Sequence, residues 1–129
     1  MSVTKAGDLR IERCICAVDV GRPINPLGLE AQMMSGTIDG ISTALNLEIT
    51  VKDGRVVERN FSDYPLLQSA EAPDVEVHIV KSEKNPSGAG EIGIPTSAPA
   101  LCNAIFAATG VRIRRLPIRN QLKDAMAGA

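Results

Sequence analysis

Two glycines four residues apart, Gly36 and Gly40, lie in a segment that otherwise has the pattern of a long helix. Small and apolar residues recur at helical spacing from about residue 27 to 45, which predicts one helix with a small-residue face. Each glycine costs such a helix about 1 kcal/mol relative to alanine, so a close approach on this face must offset the cost. The neighbour is either another element of the chain or a bound cofactor, and the spacing leaves both interpretations open.

The remaining patterns predict an α+β fold, with a mainly antiparallel sheet and two principal helices on one face. Residues 9–20 alternate and then become continuously apolar, as in a strand that enters a core. Residues 75–80 alternate again and predict a second strand. Between them, Asp53-Gly54 is a strong hairpin signal, so residues 46–60 are expected to form a β-hairpin.

A second helix is expected to begin at Ser97 as N-cap and to run to about Thr109. Gly110 follows at the position where helices commonly end with a left-handed residue. Residues 111–118 are interpreted as a short basic strand or an extended segment, and residues 119–129 as a flexible tail.

The composition excludes several classes of function. The net charge is −1, with 14 basic and 15 acidic residues, and aromatic residues are only 2%, so neither a nucleic acid nor an anionic membrane is the expected partner. No apolar run approaches the roughly 20 residues of a membrane span, and the first residues lack the apolar core of a signal peptide. We therefore expect a cytoplasmic protein, with export on a partner's signal as the alternative. The three cysteines show no ligand spacing, and no metal site is predicted.

The candidate site is the sequence Gly88-Ala89-Gly90-Glu91, one carboxylate on a glycine-built loop ahead of an apolar helix. Small residues let backbone approach a ligand closely, and a carboxylate in such a loop suits a general base. The alternative is a turn carboxylate that caps nearby amides. The glycines also match a dinucleotide-binding pattern through Gly93, but two prolines delay the helix and no second parallel strand follows, which argues against that site.

Three polar residues outside this loop are further candidates. Gln32 lies one helical turn before Gly36, on the same side, and its amide can offer a donor and an acceptor to a heterocycle; a surface glutamine is the alternative. His78, the only histidine, is expected to be a surface residue with Glu76 on the same face of its strand. Asp19 is expected to organise the turn that follows the first strand.

Several separate motifs, in order, give the chain a specific resemblance. The run AVDVGRPINP at residues 17–26, then Gln32, Gly36 and Gly40, then GAGE at 88–91, resembles the molybdenum-binding subunit of the xanthine dehydrogenase family. Within that family, the chain looks like the isoquinoline 1-oxidoreductase β-subunit branch. That narrower resemblance lies in DYPLL at 63–67, EAP at 71–73, EVHIV at 76–80 and NAIFAATG at 103–110.

The resemblance implies that residues 1–118 are the C-terminal portion of a molybdopterin-binding domain. It implies hydroxylation of an N-heterocycle or aldehyde with oxygen from water, Glu91 as the general base, and a molybdopterin-type cofactor. The residues implied to contact that cofactor are Gln32, Gly36, Gly88, Ala89 and Gly90. The implied partners are the rest of the molybdenum subunit and an iron–sulfur subunit, without which the chain would be inactive. The alternative is a non-catalytic remnant or a homo-oligomeric interaction module with the same fold.

Overall fold

A computed structural model describes residues 1–128, in which six short strands and three helices are present. The α+β class predicted from the sequence is confirmed. In chain order the elements are β1 (Ser2–Val3), β2 (Leu9–Arg10), β3 (Arg13–Val18), α1 (Pro26–Asn46), β4 (Val51–Lys52), β5 (Arg55–Val56), β6 (Asp74–Ile79), α2 (Gly93–Thr109) and α3 (Gln121–Ala127).

Helix α1 begins at a well-defined N-terminal cap. Asn25 has extended backbone, and its Oδ1 accepts a hydrogen bond from the Gly28 N–H at 3.0 Å. Pro26 occupies the first helical position, where its missing N–H costs nothing. Leu29 and Met33 on this helix pack against β3, and together they form one of the two hydrophobic clusters.

Helices α1 and α2 cross at their glycines. A Cβ added at Gly36 would lie 3.5 Å from the Gly93 Cα atom. A Cβ added at Gly40 would clash with the carbonyl oxygen of Ile94 and would lie 2.8 Å from the Ser97 Cβ atom. The small-residue face predicted for α1 is therefore used for close helix–helix packing.

Helix α2 begins five residues earlier than predicted, at Gly93 instead of directly after Ser97. Ser97 is buried inside the helix, and its Oγ donates to the Gly93 oxygen at 2.9 Å. Pro95 does not prevent the earlier start, because N–H groups of a first turn have no intrahelical acceptor. The predicted end is confirmed: Gly110 has φ of 75° and donates its N–H to the Phe106 oxygen at 2.8 Å.

The strands form three two-stranded sheets. The short pairs β1–β2 and β4–β5 are antiparallel, and the second of these is the hairpin predicted at Asp53-Gly54. The longest pair, β3–β6, is parallel, so the expectation of a mainly antiparallel arrangement is wrong for the main pair. Helix α1 lies between the two strands in sequence, which is the crossover that parallel pairing requires. Helix α2 packs mainly on α1 instead of sharing the sheet face with it.

The segment expected to be a flexible tail contains helix α3. Leu122 in this helix is only 2% exposed, and it packs in a cluster with Ile105 and Ile118. Residues 111–118 contain no strand; Ile118 donates its N–H to the Ala44 oxygen at 2.8 Å and so fixes the segment to the end of α1. The described part of 119–129 thus packs on the body, whereas Ala129 lies outside the described residues.

Candidate functional site

Glu91 lies in the loop between β6 and α2, two residues before the helix begins. Its side chain is exposed, and its carbonyl oxygen accepts a hydrogen bond from the Ile94 N–H at 3.0 Å. No cation or hydrogen-bond donor within residues 1–128 pairs with the Glu91 carboxylate. The arrangement is an exposed, unpaired carboxylate tied through its backbone to the start of a helix.

Gln32 connects this loop to helix α1. Its Nε2 donates a hydrogen bond to the carbonyl oxygen of Gly90, 58 residues away in the sequence. The residue directly before Glu91 is therefore held by a side chain that lies one helical turn before Gly36 on α1. Two residues selected separately as candidate site residues, Gln32 and Gly90, are brought together by the fold.

Gly88 and Gly90 have open space beside them. A Cβ atom added at either residue would meet no atom within 4 Å, and neither residue has a positive φ. The chain's own packing and backbone conformation therefore do not require glycine at these two positions. Within the described range 1–128, no hydrogen bond is formed by the backbone N–H groups of residues 88–91. A loop with open sides and free N–H donors fits a bulky, anionic group such as a molybdopterin.

Ala89 supports the loop from the other side. Its side chain is partly buried against the cluster that contains Val20 and Met33. The Ser87 N–H also donates to the Val20 oxygen at 2.9 Å. The start of the loop is therefore attached to the segment that directly follows β3.

Gly36 takes a different place from the other candidate residues. It is buried and faces Gly93 across the helix crossing, where an added Cβ atom would lie 3.5 Å from the Gly93 Cα atom, an ordinary packing distance. The structure therefore gathers Gln32, Gly88, Ala89, Gly90 and Glu91 at one loop, with Gly36 in the packing directly behind it.

The turn after β3 contacts the first half of the loop between β6 and α2. The sequence patterns predicted the turn but not this contact. Asp19 organises this turn as predicted: its Oδ1 accepts the Gly21 N–H at 3.0 Å, and this hydrogen bond lowers the pKa of the carboxyl. The Arg22 N–H then donates to the Lys84 oxygen at 3.0 Å, and a side chain at Gly21 would clash with Asn85. The sequence analysis did not predict this contact with residues 84–85. The signal was Gly21 itself, since a glycine after a strand can mark a close approach of another segment.

The other predicted polar residues lie away from this loop. His78 is exposed, and its Nε2 lies 2.6 Å from Glu76 Oε1 on the outer face of β6. The described chain holds no group of three or more histidine, cysteine, aspartate or glutamate residues arranged to hold a metal ion. Of the helices within residues 1–128, none is both long and apolar enough to cross a membrane.

Comparison with known proteins defines the class. Residues 3–73 match the family model described as a molybdopterin cofactor-binding domain, and the chain belongs to this family. The resemblance and the molybdenum cofactor predicted from the sequence are thereby confirmed. Glu91 itself lies beyond the matched segment.

Three similar proteins are named as subunits of oxidoreductases or dehydrogenases. The chain is 38% identical over 114 residues to the β-subunit of isoquinoline 1-oxidoreductase from Brevundimonas diminuta, covering 88% of this chain and 15% of the relative. It is 31% identical over 125 residues to one subunit of nicotinate dehydrogenase from Pseudomonas putida, covering 96% and 10%. It is 30% identical over 120 residues to PaoC, the molybdenum-binding subunit of an aldehyde oxidoreductase from Escherichia coli, covering 87% and 16%.

Solved structures share the fold. Quinoline 2-oxidoreductase from Pseudomonas putida 86 matches with a TM-score of 0.77 and 22% identity, over 95% of this chain and 17% of that one. The Cu,Mo-CO dehydrogenase matches with a TM-score of 0.73 and 22% identity, over 88% and 16%. The chain spans about one sixth or less of the length of these relatives.

Proposed function

We propose that this chain is the part of a molybdenum hydroxylase that carries the general base, and that it acts only with the remainder of the molybdenum subunit and an iron–sulfur subunit. The proposed substrates are aromatic N-heterocycles or aldehydes. Relatives with such names support this class: an isoquinoline oxidoreductase, a nicotinate dehydrogenase and an aldehyde oxidoreductase.

The observation that carries the proposal is the hydrogen bond from Gln32 Nε2 to the Gly90 oxygen. It holds the open glycine loop against α1 and leaves the Glu91 carboxylate exposed beside it. Because Gly88 and Gly90 leave space for a bulky group, a cofactor can lie within reach of Glu91. The Gln32 amide has a further N–H and an oxygen with which to bind the pterin.

The chemistry divides between the cofactor and the chain. When bound, the molybdenum cofactor supplies the two-electron oxidation of the substrate. Glu91 accepts the proton of the water-derived nucleophile, a step for which general bases contribute about 10²–10⁴-fold. No cation within the described residues neutralises its carboxylate, so the base is available for that proton. The backbone N–H groups of residues 88–91, which form no hydrogen bond within the described range 1–128, would bind the anionic cofactor.

The test is turnover of the complete assembly that carries Glu91→Gln, a change that keeps the shape and removes the base. We expect turnover with an aldehyde or N-heterocycle to fall at least about 100-fold, with the molybdenum content unchanged. The matched control is Glu83→Gln, an exposed carboxylate in the same loop, paired only with Arg22 in this structure. Near-normal turnover of the Glu91→Gln assembly would refute the assigned role.

The non-catalytic alternative gives a different result in the same preparation. Purification of this chain from its native cells would then yield a cofactor-free homo-oligomer without a larger chain. Molybdenum that co-purifies with a larger chain in constant ratio is the result expected for a hydroxylase.

A further inference from the structure

The β3–β6 pair is an incomplete sheet. Parallel sheets occur almost only with both faces covered, and sheets need three or more strands for independent stability. Here two parallel strands stand as a pair, with α1 packed on one face. On the opposite face Ile15 is 57% exposed and Ala17 is exposed beside it. Residues 1–128 therefore provide neither a third strand for this sheet nor a layer that covers its open face.

The hydrogen bonds that flank the pair show which backbone groups point outward. The Val80 N–H donates to the Val18 oxygen at 2.8 Å, and the Asp74 N–H donates to the Glu12 oxygen at 3.0 Å. The backbone N–H and C=O groups of the even-numbered residues therefore point toward the partner strand, on β3 and on β6 alike. Along a strand, backbone groups point alternately to the two sides.

It follows that Ile15 and Ala17 turn their N–H and C=O groups toward the outer edge of β3. Within residues 1–128, these groups have no hydrogen-bond partner. An edge of this kind, unpaired and bordered by an exposed isoleucine, is a template for a further strand.

Most of the charged groups on the open face are paired with one another. Arg13 binds the Glu76 carboxylate, and His78 Nε2 lies 2.6 Å from the other oxygen of that carboxylate. These three groups are paired within the chain, whereas Asp74, opposite Arg13 on the same face, has no ion-pair partner within residues 1–128. Because Asp74 is the first residue of β6, at one end of the pair, a layer that covers Ile15 and Ala17 can leave its carboxylate in solvent. The face is thus suited to a neighbour that brings apolar side chains and a free strand.

We propose that the remainder of the molybdenum subunit adds a strand to the outer edge of β3 and covers Ile15. This proposal rests on the proposed function, which makes the chain one part of a larger subunit. The length of the relatives supports this choice of partner. The part of the isoquinoline 1-oxidoreductase β-subunit that aligns with this chain is 15% of its length, so most of such a protein lies outside this chain. A strand from it would satisfy the outward groups of Ile15 and Ala17.

The test is residue-resolved hydrogen–deuterium exchange on the complete assembly, purified through a tag on this chain and shown by mass to contain the larger chain. The Cys16 and Val18 amides face β6 and serve as the internal control. We expect the Ile15 and Ala17 amides to exchange at least tenfold slower than unprotected peptide amides, comparable to the control. Protected control amides with rapid exchange at Ile15 and Ala17 would overturn the proposal.

A second copy of this chain is the competing occupant. If the chain alone shows protection of Ile15 and Ala17 that rises with its concentration, and the assembly shows no more, the edge binds another copy and the proposal is overturned. The exchange result is independent of turnover, so an assembly can retain protection while Glu91→Gln refutes the catalytic role.

Matched substitutions provide the second measurement. Ile15→Lys places a charge on the proposed contact, and Val56→Lys places one on a hairpin residue of similar exposure, 57% against 50%. We expect Ile15→Lys to reduce the larger chain recovered per copy of this chain at least tenfold, and Val56→Lys to change it less than twofold. Unchanged recovery with Ile15→Lys, or equal losses with both, would overturn the proposal.

Discussion

The helix crossing predicts opposite effects for two glycine-to-alanine substitutions on the same face of α1. A Cβ at Gly40 would lie 2.8 Å from the Ser97 Cβ atom and would also meet the Ile94 carbonyl oxygen. Carbon atoms pack at about 3.5–4.0 Å, so α1 and α2 would have to separate by about 1 Å. A Cβ at Gly36 would find its nearest neighbours at 3.5, 3.6 and 3.7 Å, which is ordinary contact.

The magnitudes follow from two opposing terms. Alanine in place of glycine within a helix contributes up to about 1 kcal/mol in both variants. Overpacking at Gly40 costs about 1–3 kcal/mol or more, because the obstructing Ile94 group is backbone. We expect Gly40→Ala to lower the free energy of unfolding by about 1–2 kcal/mol. Gly36→Ala should leave it unchanged or raise it by as much as about 1 kcal/mol.

The assay is urea and thermal unfolding of both variants beside the parent chain, followed by circular dichroism. For a chain of this size the difference between the variants corresponds to roughly 5–15 °C in Tm. Equal stability of Gly40→Ala and the parent would refute the inference that backbone contact at the crossing requires glycine there. Strong destabilisation by Gly36→Ala would show that the crossing is tighter than 3.5 Å at that point.

Three further predictions concern the loop, the turn and the core. Gly90→Ala should change the free energy of unfolding by less than about 0.5 kcal/mol, because the added methyl group has no atom within 4 Å. The same substitution should lower the amount of molybdenum retained by the purified assembly. Equal retention would contradict the approach of the cofactor to this residue. The pKa of Asp19 is lowered by the Gly21 N–H, so its contribution to stability is present above the pKa of the unfolded chain and is lost as the pH falls through the lower pKa of the folded state. Asp19→Asn should therefore flatten the loss of stability on acidification below about pH 4, measured as Tm against pH. Ile105→Ala, at a fully buried position, should cost about 2–5 kcal/mol in urea unfolding, and a cost under 1 kcal/mol would show that the α2 cluster is not a packed core.

The sequence predicted the elements whose causes are local. Helix α1, the hairpin at Asp53-Gly54 and the helix end at Gly110 each depend on residues within a few positions of one another, and all are found in the structure. The early start of α2 was missed, since Pro95 was interpreted as delaying the helix although a first turn accommodates proline.

Long-range pairing was beyond the reach of these patterns. Alternation in β3 and β6 shows that both are strands, but it carries no information on whether they run parallel. At the candidate site, Glu91 and Gln32 were selected by chemistry and family resemblance. Their approach through Gly90 depends on how α1 and α2 cross, which no local pattern specifies.

The position of Glu91 between two fixed points has a consequence for how this region can change in length. Gly90 is bound to Gln32 on one side, and Gly93 is pressed against α1 on the other, which leaves only Glu91 and Ile92 between them. An insertion or deletion of one residue here would break one of the two attachments or turn the carboxylate to another direction. Variation in loop length among related chains should therefore spare the four residues 90–93.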